Sequence, residues 1–483
     1  MAEINDREIQ IPITETVVAE GIVPYFKKYG EIESMSVTIR YKSPTDITPL
    51  LQTPNHLAGR YILRVEKPTD SPTANSVTTS HILDLKEECL EHILDSFNNQ
   101  DLCSVTETCA LFRKLGSKVF AKKYNGEFRI DLNTYCLDGM KQILQLFGGT
   151  LKKLTLSWST GDITYKIKKF MGMAAIYCRD LQELVLYSSC KSHEMDTPCW
   201  TVISLTMNFP KLAHLHLECE HVCNLCVISC NRDEDFDGLL ENSNISKLTL
   251  ARFNLGEGFN YIVNKLPHLQ AFYYKDYFET SPYNITGIHD LGKLKELREL
   301  EIDGYRIPVV KLIDGLAKSG APIESLKLFG NFDDIADKSV HSICKLKGIK
   351  VLKLTSELHV LKSNHFIDLA KSLPHLTEFV ITIDAFDESE SPVDYDITFV
   401  AMIKMIRYAD RLTKITLRYG NDVEMSKKTL TMANYNKTLN LLKLRQHKLK
   451  LLLMVPDDTD LSQLNEKTIQ CNREWLEVVK GGV

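Results

Sequence analysis

The chain has 483 residues, 44% of them hydrophobic and 25% charged, proportions of a soluble globular protein with room for roughly two to four domains. Its formal net charge of −5 argues against a dedicated nucleic-acid binder, which shows a basic patch or a high pI. No apolar run approaches the roughly 18 residues that a membrane span requires, and the polar, acidic start MAEINDREIQ is unlike a secretion signal. Thirteen cysteines scattered among apolar residues read as reduced, buried thiols. The expected compartment is therefore cytosol or nucleus.

Residues 1–66 read as a small α/β domain. Ile9, Ile11 and Ile13 alternate with polar residues as in a strand. Thr16 to Tyr29 form an amphipathic helix through Val17, Val18, Ile22, Tyr25 and Phe26, which Gly30 closes. Ile32–Tyr41 and Arg60–Val65 are further strands. The run VPYFKKYGEIESMSV resembles the first helix and second strand of an RNA-recognition motif, and AGRYILRVE resembles its third strand. In that family the third strand's aromatics stack on bases; the positions here are Arg60, Ile62 and Val65. Residues 1–80 carry 8 Lys or Arg against 10 Asp or Glu, so the phosphate-binding charge is missing as well. The expectation is the family's scaffold, shortened, without its RNA activity; an RNA-associated protein remains an alternative reading. Residues 67–80, KPTDSPTANSVTTS, lack periodicity and read as a linker.

The next stretch, 81–123, is helical. Leu90, Ile93, Leu94 and Phe97 recur at i, i+3, i+4 and i+7, one apolar face of a helix. After the polar break at 98–100, Asp101 reads as the N-cap of a second helix carrying Leu102, Val105, Cys109 and Phe112. So short a helical unit has little core of its own, which assigns its surplus apolar surface to a partner or to the next domain. The pattern resembles an F-box: Leu85, the Ile93-Leu94 pair, Asp101-Leu102, Val105, Cys109 and Phe112-Arg113, with Lys86 where the family usually has proline. That resemblance implies docking on the Skp adaptor of SCF ubiquitin ligases through Leu85, Leu90, Ile93, Leu94, Leu102, Val105, Cys109 and Phe112. A plain helical hairpin within a larger domain is the alternative.

Residues 127–483 repeat. LKKLTL at 151, LQELVL at 181, LAHLHL at 212 and ISKLTL at 245 share an L-x-x-L-x-L core. It continues as LQAFYY at 269, LRELEI at 297, IESLKL at 323, IKVLKL at 349, LTEFVI at 376, LTKITL at 412 and LKLLLM at 449, with FRIDL at 128 as a first strand. The spacings of 24 to 37 residues are those of leucine-rich repeats. Helical pieces such as LDGMKQILQLF and VVKLIDGLAKSG separate the strands, and Pro210, Pro267 and Pro374 each precede one. The expected fold is an α/β leucine-rich-repeat solenoid, a horseshoe with strands on its concave side, closed by a C-terminal cap of Ile469, Trp475, Leu476 and Val479. Strand alternation turns the leucines inward and the intervening residues outward. On that outward face Tyr273, Lys275, Glu301, Asp303, Lys327, Phe329 and Lys353 form an aromatic and charged stretch suited to recognising a protein substrate; ordinary exposed strand polarity is the plainer reading. An acidic insertion, DAFDESESPVDYD, follows Ile381.

Cys219, Cys223, Cys226 and Cys230 are the one group of metal-ligand type, but their spacing is that of a buried helix stripe, so no metal and no cofactor are expected. No P-loop, G-x-S-x-G or H-E-x-x-H occurs. The order small domain, F-box, leucine-rich repeats resembles the F-box/leucine-rich-repeat family. The resemblance implies a non-catalytic subunit that holds the Skp adaptor and cullin scaffold and presents a substrate. A leucine-rich-repeat binding module without a ligase is the main rival.

Overall fold

A computed structural model describes residues 8–12, 36–40, 55–58, 61–64, 82–159, 164–189, 208–219, 244–252, 258–276, 287–304, 308–329, 336–357, 363–384, 403–419, 431–445, 447–455 and 464–480, with 459, 461 and 462. The chain divides into two compact units. One holds Met1–Phe128, Cys136–Lys152 and Ile176–Cys178; the other holds Arg129–Tyr135, Lys153–Ala175 and Arg179–Val483.

In the first unit β1 (Glu8–Pro12) pairs antiparallel with β2 (Ser36–Arg40), and β3 (Asn55–Ala58) with β4 (Tyr61–Arg64) in a separate sheet. β1, β2 and β4 fall where alternation placed strands; β3 has no such pattern. The expected helix at 16–29, the linker at 67–80, and Arg60 and Val65 lie outside the described residues.

Three helices follow: α1 (Glu87–Asp95), α2 (Asn99–Thr106) and α3 (Ala110–Tyr124). Lys86 precedes α1 at φ −56°, a value proline also adopts, so the backbone there is the one a Leu-Pro opening would impose. Asn98, not Asp101, caps α2. Its Oδ1 accepts from the Asp101 N–H at 3.0 Å, which satisfies one orphan donor of the first turn, and its side-chain amide donates to Asp101 Oδ2 at 2.6 Å. The expected single helix through Leu102, Val105, Cys109 and Phe112 is broken. Cys109 lies outside α2 and caps α3, its Sγ accepting from the Phe112 N–H at 3.4 Å.

Burial divides in two the eight positions expected to meet an adaptor. Leu90, Ile93, Leu94 and Leu102 are between 0 and 5% exposed, so their apolar face is covered within the chain. Leu85, Val105, Cys109 and Phe112 are half-buried. The buried set is consumed by packing within the unit: α2 and α3 lie on each other and on α4 (Leu137–Phe147). There the Phe120 and Phe147 rings stack at 4.3 Å. A Cβ on Gly116 would lie 1.9 Å from Thr106 Cγ2, so the α2–α3 approach requires glycine.

A 13-stranded sheet runs in chain order from β5 (Glu127–Asp131) to β17 (Leu476–Lys480). Its strands are β6 (Lys153–Trp158), β7 (Glu183–Ser188), β8 (His214–Cys219), β9 (Lys247–Ala251), β10 (Ala271–Asp276) and β11 (Glu299–Gly304). They continue as β12 (Ser325–Phe329), β13 (Val351–Glu357), β14 (Glu378–Asp384), β15 (Lys414–Tyr419) and β16 (Lys450–Val455). Every neighbouring pair from β6 to β17 is parallel. Among the helices between them are α5 (Thr164–Tyr177), α6 (Gly258–Lys265), α7 (Val309–Ser319), α8 (Ala336–Ile343), α9 (Ser363–Ser372) and α10 (Met432–Lys443), with α11 (Glu466–Cys471) before β17. This is a leucine-rich-repeat solenoid, and each of the twelve repeat matches read from sequence is a strand.

Leucine burial drives the stacking. From Leu154 to Leu476 one apolar residue per strand sits in register with the next. All twelve are under 5% exposed, and each such side chain stabilises the fold by about 2 kcal/mol. Two expectations are corrected. The terminal segment is a thirteenth strand, β17, which buries Leu476 and Val478 rather than Val479. Cys219 ends β8 as a buried strand residue, which breaks the helical stripe at its first cysteine; Cys223, Cys226 and Cys230 lie outside the described residues.

One close contact between successive repeats has no room for a side chain. A Cβ on Gly315 of α7 would lie 2.4 Å from the His289 carbonyl oxygen, and one on Gly292 would lie 2.6 Å from the Gly315 oxygen. Gly315→Val should therefore destabilise the repeats by about 1–3 kcal/mol through overpacking, read as a lower urea midpoint. An unchanged midpoint would show that the two backbones can part without loss.

Candidate functional site

The register places the sequence-derived recognition residues together on adjacent strands. Tyr273 pairs with Glu301, Glu301 with Lys327, and Lys327 with Lys353, along β10 to β13. Lys275 pairs with Asp303 and Asp303 with Phe329 in the row two residues further on. All seven are half-buried, on the face opposite the leucines, because strand side chains alternate.

The charges are coupled across strands. Glu301 receives Lys327 Nζ at 2.8 Å on one carboxylate oxygen and Lys275 Nζ at 3.4 Å on the other. Tyr273 Oη donates to Glu299 Oε2 at 2.5 Å, and its ring lies 5.0 Å from Lys247 Nζ and 5.6 Å from Lys327 Nζ, within cation–π range. Burial, the Glu299 hydrogen bond and the nearby carboxylates raise the Tyr273 phenol above its usual pKa, so it stays a donor. Lys353 has Glu378 at 3.8 Å. Asp303 differs. Among the described residues it makes no hydrogen bond or ion pair, and burial pushes its carboxyl upward, Lys275 opposing and Glu301 adding to the rise.

Lys247, Glu299 and Glu378 complete this network and were missed by sequence reasoning. They stand one alternation step before the row that was read, so the signal was present in the same repeat pattern. His214 and His216 occupy successive outward positions of β8, their rings stacked at 6.4 Å. His214 Nδ1 is 3.2 Å from Glu183 Oε1 and its Nε2 is 3.3 Å from Thr249 Oγ1. His216 Nε2 is 3.3 Å from Glu218 Oε2 without the alignment of a hydrogen bond. Among the described residues no group of three or more His, Cys, Asp or Glu is placed to hold a metal ion, and no helix is long and apolar enough to cross a membrane.

The eight positions expected to meet an adaptor divide into the buried and half-buried sets given above. No protein-family model matches the chain, and no curated protein matches it. Among solved structures it is similar to the leucine-rich-repeat-containing protein LegL7 from Legionella pneumophila. The identity is 13%, over 68% of this chain and 95% of that one, with a TM-score of 0.36. It is also similar to the leucine-rich repeat domain of APL1B, at 12% identity over 71% of this chain and 78% of that one, with a TM-score of 0.27.

Burial lowers the His214 pKa from 6.5 to about 4, Glu183 opposing and Lys247 and His216 adding to the effect. The folded chain therefore holds this imidazole neutral while the unfolded chain takes up the proton first. Its contribution to stability is complete above about pH 6.5 and is lost as the pH falls towards about 4. Melting temperatures across that range should fall less steeply in His214→Gln than in the parent chain, and equal slopes would contradict a neutral buried His214.

Proposed function

We propose that this chain is the substrate-recognition subunit of an SCF (Skp–cullin–F-box) ubiquitin ligase, a non-catalytic adaptor of the cytosol or nucleus. Its leucine-rich repeats are a protein-interaction fold, and the finer assignment rests on α1–α3. The observation that carries it is the apolar set left accessible around the motif: Leu85, Val105, Cys109 and Phe112 half-buried, with Leu83 beside them 50% exposed. The buried motif residues hold three helices in place, two of them capped by side chains, so the accessible ones are presented on a preformed surface. A Skp adaptor covering them removes apolar area from water, and it brings the cullin scaffold with it. The open sheet face at Tyr273, Lys275, Glu301, Asp303, Lys327, Phe329 and Lys353 takes the substrate. Tethering then raises the effective concentration of substrate lysines at the ligase.

A second reading, a leucine-rich-repeat binding module without a ligase, is favoured by the packing of α2 and α3 on α4, which uses Leu102 and Phe120 for folding alone.

Leu85→Asp and Val105→Asp, made separately, should each cut co-purification of the Skp adaptor by about tenfold or more with far-ultraviolet circular dichroism unchanged. Ile93→Asp with Leu94→Asp should instead unfold α1–α3, since both residues are core. Absence of adaptor capture by the parent chain would leave the second reading standing, and full capture by both single variants would move the adaptor contact to other residues. Tyr273→Ala with Phe329→Ala should keep the adaptor while losing substrates from affinity purification with mass spectrometry; an unchanged substrate set would move recognition elsewhere.

A further inference from the structure

The repeats around β15 and β16 carry a charge opposite to that of the chain. Residues 401–455 hold 12 Lys or Arg and 3 Asp or Glu, a net of 12 − 3 = +9, which leaves −14 for the rest of a chain whose net is −5. Part of this charge is matched: Lys414 has Glu378 at 3.1 Å, Lys450 has Glu477 at 2.7 Å, and Lys448 has Glu474 at 2.8 Å. On the helical side, among the described residues, no ion pair matches Arg407, Arg411 or Lys443.

There the helical turn at 403–408 and the end of α10 border a groove of about 490 Å³. Arg445 lines it. The guanidinium donates to the carbonyl oxygens of Ala409 at 2.6 Å and Asp410 at 2.8 Å, and also to that of Ile406. It thereby closes the helical turn and is held rigid. Arg407, Arg411 and His447 line the groove and are exposed, with Asp410 as the one acid. Arg411 Nη1 lies 3.2 Å from His375 Nδ1. Among the described residues Arg407 and His447 have no hydrogen bond or ion pair. Leu441 and Leu444 complete the lining, and Leu444 is 81% exposed.

We infer that this groove docks an acidic peptide segment bearing an aliphatic side chain. Guanidinium forks match carboxylates in pairs, and Leu441 with Leu444 would cover the aliphatic group. The lining has no Phe, Tyr or Trp, the larger base-stacking rings, and the exposed aliphatic side chain of Leu444 suits a peptide better than a sugar-phosphate chain. The groove lies apart from the Tyr273–Lys353 row, and the inference does not rest on the ligase reading.

The probe is a fluorescein-labelled synthetic peptide of alternating Glu and Leu, titrated with the full chain and followed by anisotropy. It should bind, weaken as salt rises, and weaken by about tenfold or more in Arg407→Ala with Arg411→Ala. Leu444→Ser should weaken it several-fold. Both arginines are exposed, and melting curves check that the variants fold. Absence of binding, or equal affinity in the double arginine variant, would overturn the inference. So would a single-stranded RNA of matched charge that binds more tightly than the peptide and ignores Leu444→Ser, since the groove would then be a general polyanion site.

Discussion

Before each strand from β7 to β14 one backbone carbonyl accepts two amides from the repeat that follows, and the open face of those strands depends on this contact. Ser246 O takes the N–H groups of Gln270 at 2.7 Å and Ala271 at 3.0 Å; Gln270 O takes those of Arg298 at 2.8 Å and Glu299 at 3.0 Å. The same step recurs at Arg298, Glu324, Lys350 and Thr377. It anchors each strand at its entry, so the register cannot slip by two residues even though leucine alternation alone would permit that. Side chains in the same row of successive strands are then held about 4.8 Å apart.

At that spacing like charges in one row repel, and the open face arranges acids to relieve this. Glu301 stands between Lys275 and Lys327 and contacts both. Lys327 and Lys353 are direct neighbours, tolerated because each faces a carboxylate: Glu301, shared with Lys275, and Glu378, shared with Lys414. Exposed pairs of this kind add little stability; their effect is to hold long side chains in one orientation. Asp303, beside Phe329 in the register, makes no hydrogen bond or ion pair among the described residues.

The helices α1–α3 reach definition by a different route. They are too short to persist alone, and depend on caps at Asn98 and Cys109 and on close packing at Gly116. That packing separates one sequence motif into residues that build the scaffold and residues that it presents. The two sets look alike in sequence because both are apolar at helical spacing.

The sequence by itself determined the repeat strands, their buried leucines and the outward row at Tyr273, Glu301, Lys327 and Lys353. These follow from a local alternation that holds within six residues and is repeated. The basic character of residues 401–455 was equally legible, had charge been summed by repeat rather than over the chain. Only the tertiary structure decided that Cys109 caps α3, that Ile93 and Leu94 are core, that the C-terminal segment is a strand, and that Tyr273 donates to Glu299. Those outcomes depend on partners brought together by packing, 26 residues apart in the case of Tyr273 and Glu299. A short apolar run carries no record of which neighbour will cover it.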